Sequence, residues 1–153
     1  MHFLSNQSRS IELTAIATTT ARLIDQIARG YRHAYVAASP LVALVLDEMG
    51  LPVTVVRGTF GGETHLWVEA DGYRLDASRE YLDKGALVEE VGTPSAYVAT
   101  ERFPVSWSPD EAIDMFAGAF DFPEISSQRG RWLLTYLMDT FVSVPAATGA
   151  QIA

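Results

Sequence analysis

His65 and Asp76 are the two residues whose types and spacing point most directly to chemistry. They lie in two short alternating runs, HLWVEA at 65–70 and YRLDAS at 73–78, separated by Asp71-Gly72. An Asp-Gly pair between alternating runs predicts a two-residue hairpin loop of type I′. With Asp71 and Gly72 in the loop, Ala70 pairs with Tyr73, and paired positions sum to 143. Trp67 then falls opposite Asp76, and Glu69 opposite Arg74. Side chains alternate along a strand, so His65, Trp67, Glu69, Arg74, Asp76 and Ser78 share one face. Asp76 is diagonal to His65, a separation that long side chains bridge. A carboxylate in that place fixes the imidazole tautomer and stabilises its protonated form. Such a pair supplies the base and the orienter of a nucleophile–base–orienter triad. The same residues also read as a surface ion pair of small energetic weight. Glu69 and Arg74 read as a cross-strand ion pair, and Trp67 as a packing residue.

The triad's first member is missing. The chain has no cysteine, which excludes thiolate nucleophiles, thiolate metal sites and disulfides. Ser39 reads as a helix N-cap rather than a nucleophile. His65 and Glu69 stand four apart on a strand, with no third ligand in view, so no metal is expected. RGTFGGET lacks the spacing of a phosphate-binding or dinucleotide-binding loop, and no cofactor is expected.

THLWVEADGYRLDAS resembles the HxWxE…G..LD.(S/T) block of the transglutaminase-like papain superfamily. Upstream, RHAYVAASPLVALVLDEMGLPVTVVRG is similar to that superfamily's helix-then-strand unit, and RHAYVAAS resembles the GHCYVAS-type variant of small bacterial and phage members. The likeness covers residues 31–79, about a third of the chain, in the order nucleophile, His, Asp. It implies a central helix packed on an antiparallel sheet, with His65 as catalytic base, Asp76 as its orienter and the nucleophile position at Ala34. A more generic superfamily spacing would put that position at Tyr35. His33 and Tyr35 match flanking positions and, with Trp67, become the implied substrate-binding residues. The implied activity is that of a cysteine peptidase, amidase or acyltransferase working through a thioester on a peptide, protein or small-molecule acyl substrate. Alanine cannot replace the thiolate, so this chain should be inactive. Either position 34 carries a Cys→Ala replacement, or the protein is a natural pseudoenzyme that binds a peptide or small ligand without turnover. An arylamine N-acetyltransferase has the same triad order, but the chain is short for one.

The elements that must position these residues follow from periodicity. Residues 10–29 read as a helix capped by Ser10 and stopped by Gly30, with His2 in a disordered terminus. A second, apolar on nearly all sides, covers about 34–49; either Ser39 caps it with Pro40 at N1, or it starts earlier and bends at Pro40. Strands are expected at 52–58, 65–70 and 73–78, and residues 79–106 mix loop with short strands such as SAYVAT. Ser108, Pro109 and Glu111 begin a helix with a capping box. A last helix spans about 127–142. Trp107, Phe116, Phe120, Trp132 and Tyr136 read as core, some of them able to line an acyl pocket. The expected fold is α+β, one transglutaminase-like domain over 1–145 with a flexible tail at 146–153.

Composition sets the outer bounds. Apolar residues at 48% supply a core for one domain of this length. A net charge of −8 disfavours nucleic acid. No apolar run is long enough for a membrane span and no secretory leader is apparent, which makes the cytoplasm the expected location.

Overall fold

A computed structural model describes residues 2–28, 32–77, 87–120 and 123–143. The elements run α1 (His2–Ile27), α2 (Arg32–Ala37), α3 (Ser39–Glu48), β1 (Val53–Phe60), β2 (Glu63–Ala70), β3 (Tyr73–Asp76), β4 (Leu87–Glu90), β5 (Tyr97–Pro104), α4 (Pro109–Ala117) and α5 (Pro123–Met138), followed by a π-helical turn at Asp139–Ser143. The fold is α+β, with helices on a five-stranded antiparallel sheet of order β4-β3-β2-β1-β5.

Two glycine-bearing turns build the central hairpins. Asp71 (φ 51°) and Gly72 (φ 85°) both take positive φ, as a type I′ loop requires, and Gly61 (φ 59°) and Gly62 (φ 85°) do the same between β1 and β2. The predicted register holds: Ala70 pairs with Tyr73, Glu69 with Arg74 and Val68 with Leu75.

Alternation then sorts the side chains onto two faces. Val53, Val55, Leu66, Val68, Ala70 and Leu75 pack against α1 and α3. The opposite face gathers Val56, Trp67 and Tyr97, with Phe60, Leu87 and Ala99 against them. We call the first the helical face and the second the distal face. Helix α1 lies across β3 and β4, and α3 across β1 and β2.

Helix α3 is central, as expected, with every residue from Ser39 to Leu46 buried. Each buried Leu or Val there contributes roughly 1.5–3 kcal/mol. Its start follows the reading of an earlier start with a break near Pro40, and not that of Ser39 as the cap. The helical path begins at Arg32 and breaks at Ala38, because Pro40 has no N–H to continue the ladder. Ser39 is the first residue of α3, and the N-cap position is Ala38, without a side-chain bond. Ser10 likewise does not cap α1. The helix begins at His2, and the Ser10 carbonyl accepts from Thr14 Oγ1 at 2.8 Å within it. Gly30 and the 146–153 tail lie outside the described residues.

The capping box of α4 is present as predicted: Glu111 N–H donates to Ser108 Oγ at 3.1 Å, and Ser108 N–H to Glu111 Oε1 at 2.8 Å. Phe116 is fully buried, but Trp132 and Tyr136 are exposed on α5, whose buried stripe is Leu133, Leu134 and Leu137. Trp107, half-buried, lines an open apolar hollow of about 430 Å³ on the helical face with Leu66, Phe103 and Met115.

Candidate functional site

Asp76 ends β3, and His65 stands two residues into β2, beyond the point where the β2–β3 pairing stops at Val68 and Leu75. Both side chains project onto the distal face. His65 Nε2 and Asp76 Oδ2 are 2.8 Å apart. The pair is buried, His65 at 7% exposure and Asp76 at 3%, so it is no surface ion pair. A carboxylate only accepts, which assigns the shared proton to Nε2, and among the described residues Nδ1 has no hydrogen-bond partner.

Tyr97, which spacing alone did not bring to this site, donates its phenol O–H to the same Oδ2 at 2.5 Å. In a flat sheet, β5 would lie three strand spacings, about 14 Å, from β3, further than a phenol reaches. The sheet therefore curls, making the distal face concave. The register between β1 and β5 shifts at Arg57/Gly58, an irregularity of the kind that bends a strand. The sequence signal available for Tyr97 was its place in SAYVAT, a β-rich run outside the hairpin, which says nothing of which face it joins.

Aromatic rings wall the pair. Phe60 lies 5.9 Å from the imidazole centroid, Trp67 stacks on it at 6.2 Å, and Tyr97 meets Trp67 edge-on at 4.9 Å. Gly58, paired with His65 across β1 and β2, makes room for this packing. A Cβ there would meet the Val98 carbonyl oxygen and stand 2.8 Å from Trp67 Cη2. Gly58→Ala is expected to lower stability by about 1–3 kcal/mol through overpacking. Urea unfolding monitored by tryptophan fluorescence reads this directly. An unchanged midpoint would show that the face is looser than described.

Arg74 and Glu69 oppose one another in register, yet they do not form the expected ion pair. Arg74 turns to Glu89 (2.6 Å), Ser95 Oγ (3.1 Å) and the Val91 carbonyl (3.1 Å), and its guanidinium covers the Tyr97 ring at 4.9 Å. Glu69 instead accepts from Arg102 Nε at 3.0 Å, across β1. Glu89 stands directly opposite Arg74 in the β3–β4 register, while Arg102 reaches Glu69 over the intervening strand β1. Arg74 Nε is the one buried side-chain nitrogen or oxygen among the described residues without a partner.

The remaining candidates sit elsewhere. Ala34 is fully buried in the cluster built by α1, α3, α4 and α5. Tyr35, 2% exposed, is in that cluster too and directs its hydroxyl toward Asp25 at 3.4 Å. Both therefore belong to the helical layer, although α2 does lie against β2. His33 is exposed, and Ser78 lies outside the described residues. The structure thus joins His65, Asp76 and Trp67, while Ala34 and Tyr35 pack in the helical cluster. Among the described residues no cluster of three or more His, Asp or Glu could hold a metal ion, and no helix is long and apolar enough to cross a membrane.

Fold and site together define an α+β domain with a buried His–Asp–Tyr network on the concave face of its sheet. Compared with family models, with curated proteins and with solved structures, the chain has no match.

Proposed function

We propose that this chain is a binding domain with a transglutaminase-like arrangement of motifs, which holds a peptide or small acyl or amide ligand without turning it over. The observation that carries this reading is the 2.8 Å bond between His65 Nε2 and Asp76, which leaves Nδ1 as the ring nitrogen able to meet a ligand. A buried histidine–carboxylate pair is costly to keep without a use, and such groups concentrate at functional sites. Position 34 offers no nucleophile: Ala34 is an aliphatic residue within the helical core.

A second reading is favoured by the order of the three motif blocks and by the packing of α2 on β2, the strand of His65. In it the parent protein is a cysteine peptidase, amidase or acyltransferase of the papain-like fold, with its thiol replaced at position 34. Ala34→Cys separates the two. The binding reading expects a buried, inert thiol that iodoacetamide modifies no faster than a free thiol in solution. A thiolate activated by His65 would react up to about 30-fold faster at neutral pH, because an ordinary cysteine is only a few per cent ionised there. Acceleration that disappears in Ala34→Cys/His65→Ala would overturn the binding reading in favour of the enzyme.

A further inference from the structure

We propose that the apolar hollow on the helical face is a binding site for a small carboxylic acid, its carboxylate held by Arg57 and its aromatic or branched body lying against Trp107, Phe103 and Met115. The hollow encloses about 430 Å³, within the roughly 300–1,000 Å³ of small-ligand sites. Arg57 and Leu66 line it, whereas their chain neighbours Gly58 and His65 face the other way. The site is therefore separate from His65 and does not rest on the reading given to that residue.

Strand register builds its floor. Val55 stands opposite Phe103 and Arg57 opposite Leu66, and alternation turns all four toward the helices. Helix α3 meets this floor at Pro40, and α4 supplies Met115. Beyond β5 the chain runs to Trp107, whose indole N–H donates to the Pro40 carbonyl at 3.2 Å. That bond ties the segment after β5 to the start of α3, so the ring is a fixed wall before any ligand arrives. Phe103 and Met115 stay more than a third exposed, apolar surface that a ligand body would cover.

Charge names the head group. Among the described residues, Arg57 is the one charged side chain of the lining, and Ser106 adds a hydroxyl. Glu101, opposite Arg57 in register, approaches it at 3.6 Å, too far for a hydrogen bond, and both side chains are more than half exposed. Such a pair has little energetic weight and leaves the guanidinium fork open to a carboxylate, which it binds through two parallel hydrogen bonds. One guanidinium balances one negative charge. With Glu101 beside it and a net charge of −8 on the chain, a phosphate dianion would go unbalanced.

The test titrates the full chain, labelled with ¹⁵N, with phenylacetate and with its neutral counterpart phenylacetamide. The three tryptophans give three indole N–H resonances, and Trp107→Phe assigns the one at the hollow. Phenylacetate should move the Trp107 resonance at millimolar concentrations and leave those of Trp67 and Trp132 in place. It should bind about tenfold more tightly than the amide, the weight of one hydrogen bond to a charged group. Arg57→Gln should abolish that difference by weakening the acid alone. Glu101→Gln, which removes the competing carboxylate, should tighten the acid by about two- to threefold. Both substitutions are at the surface, and unchanged melting temperatures verify that the variants fold. No shift of Trp107, equal affinity for acid and amide, or undiminished binding of the acid by Arg57→Gln would overturn the proposal. A shift of Trp67, which stacks on His65, would place the acid on the distal face and overturn it too. So would a Trp107 resonance that changes when the protein alone is diluted, since a second copy would then be the occupant.

Discussion

Trp67→Ala lowers the stability of this protein by about 3–5 kcal/mol, the range for removing a buried aromatic from a packed site. Trp67 is 1% exposed, and it is the largest of the fully buried side chains. Its ring touches the three things that define the distal face: His65 in a stack, Tyr97 edge-on, and the bare backbone of Gly58. Alanine would leave a cavity bounded by a sheet, which cannot collapse without breaking strand pairing. In a chain of this size the loss corresponds to a fall in melting temperature on the order of 10 °C. Denaturant unfolding followed by circular dichroism measures it, since the substitution removes one of the three tryptophans and so alters the fluorescence signal itself. A cost under about 1 kcal/mol would mean that the distal face is not a packed core.

Asp76→Ala ranks next. It removes the one oxygen that accepts from both His65 and Tyr97, leaving two buried donors without it. Each orphaned donor costs about 1–3 kcal/mol, so a loss near 3 kcal/mol is expected. The stronger prediction concerns coupling. Tyr97→Phe removes one of the two donors, and in the Asp76→Ala background it should therefore cost about 1 kcal/mol less than in the natural chain. A double-mutant cycle by urea unfolding supplies all four corners. Strictly additive costs would show that the hydroxyl and the carboxylate do not act together.

Much of the scaffold was legible in the sequence because it rests on local rules. Asp71-Gly72 demanded positive φ at both positions, and that alone fixed a register that placed His65 diagonal to Asp76. Ser108 and Glu111 fixed the start of α4 in the same way. The partners of Arg74 and Glu69 were not legible. Opposed in register, they looked like each other's counter-ions, yet the strand β4, which the sequence did not place, sets Glu89 directly opposite Arg74, and Arg102 reaches Glu69 over β1. Tyr97 escaped for the same reason, since its contact with Asp76 spans three strands and 21 residues. Helix α1 exceeded its expected start because Ser10 fits a helix interior as well as a cap. A pattern of apolar spacing also placed Trp132 and Tyr136 inside, whereas the leucines of α5 took the buried side.

The register shift between β1 and β5 has a consequence for solubility. β5 is the edge of the sheet, so that among the described residues one side of its ladder has no neighbouring strand. At Thr100 the ladder slips: Gly58 pairs with Ala99 and Arg57 with Glu101, so a newcomer meets an uneven row of donors and acceptors. Glu101 and Arg102 add charge just beyond the slip, and Pro104, which has no N–H to offer, closes the strand. The irregularity that lets Tyr97 reach across the concave face thus also makes the edge a poor template for strand-by-strand aggregation.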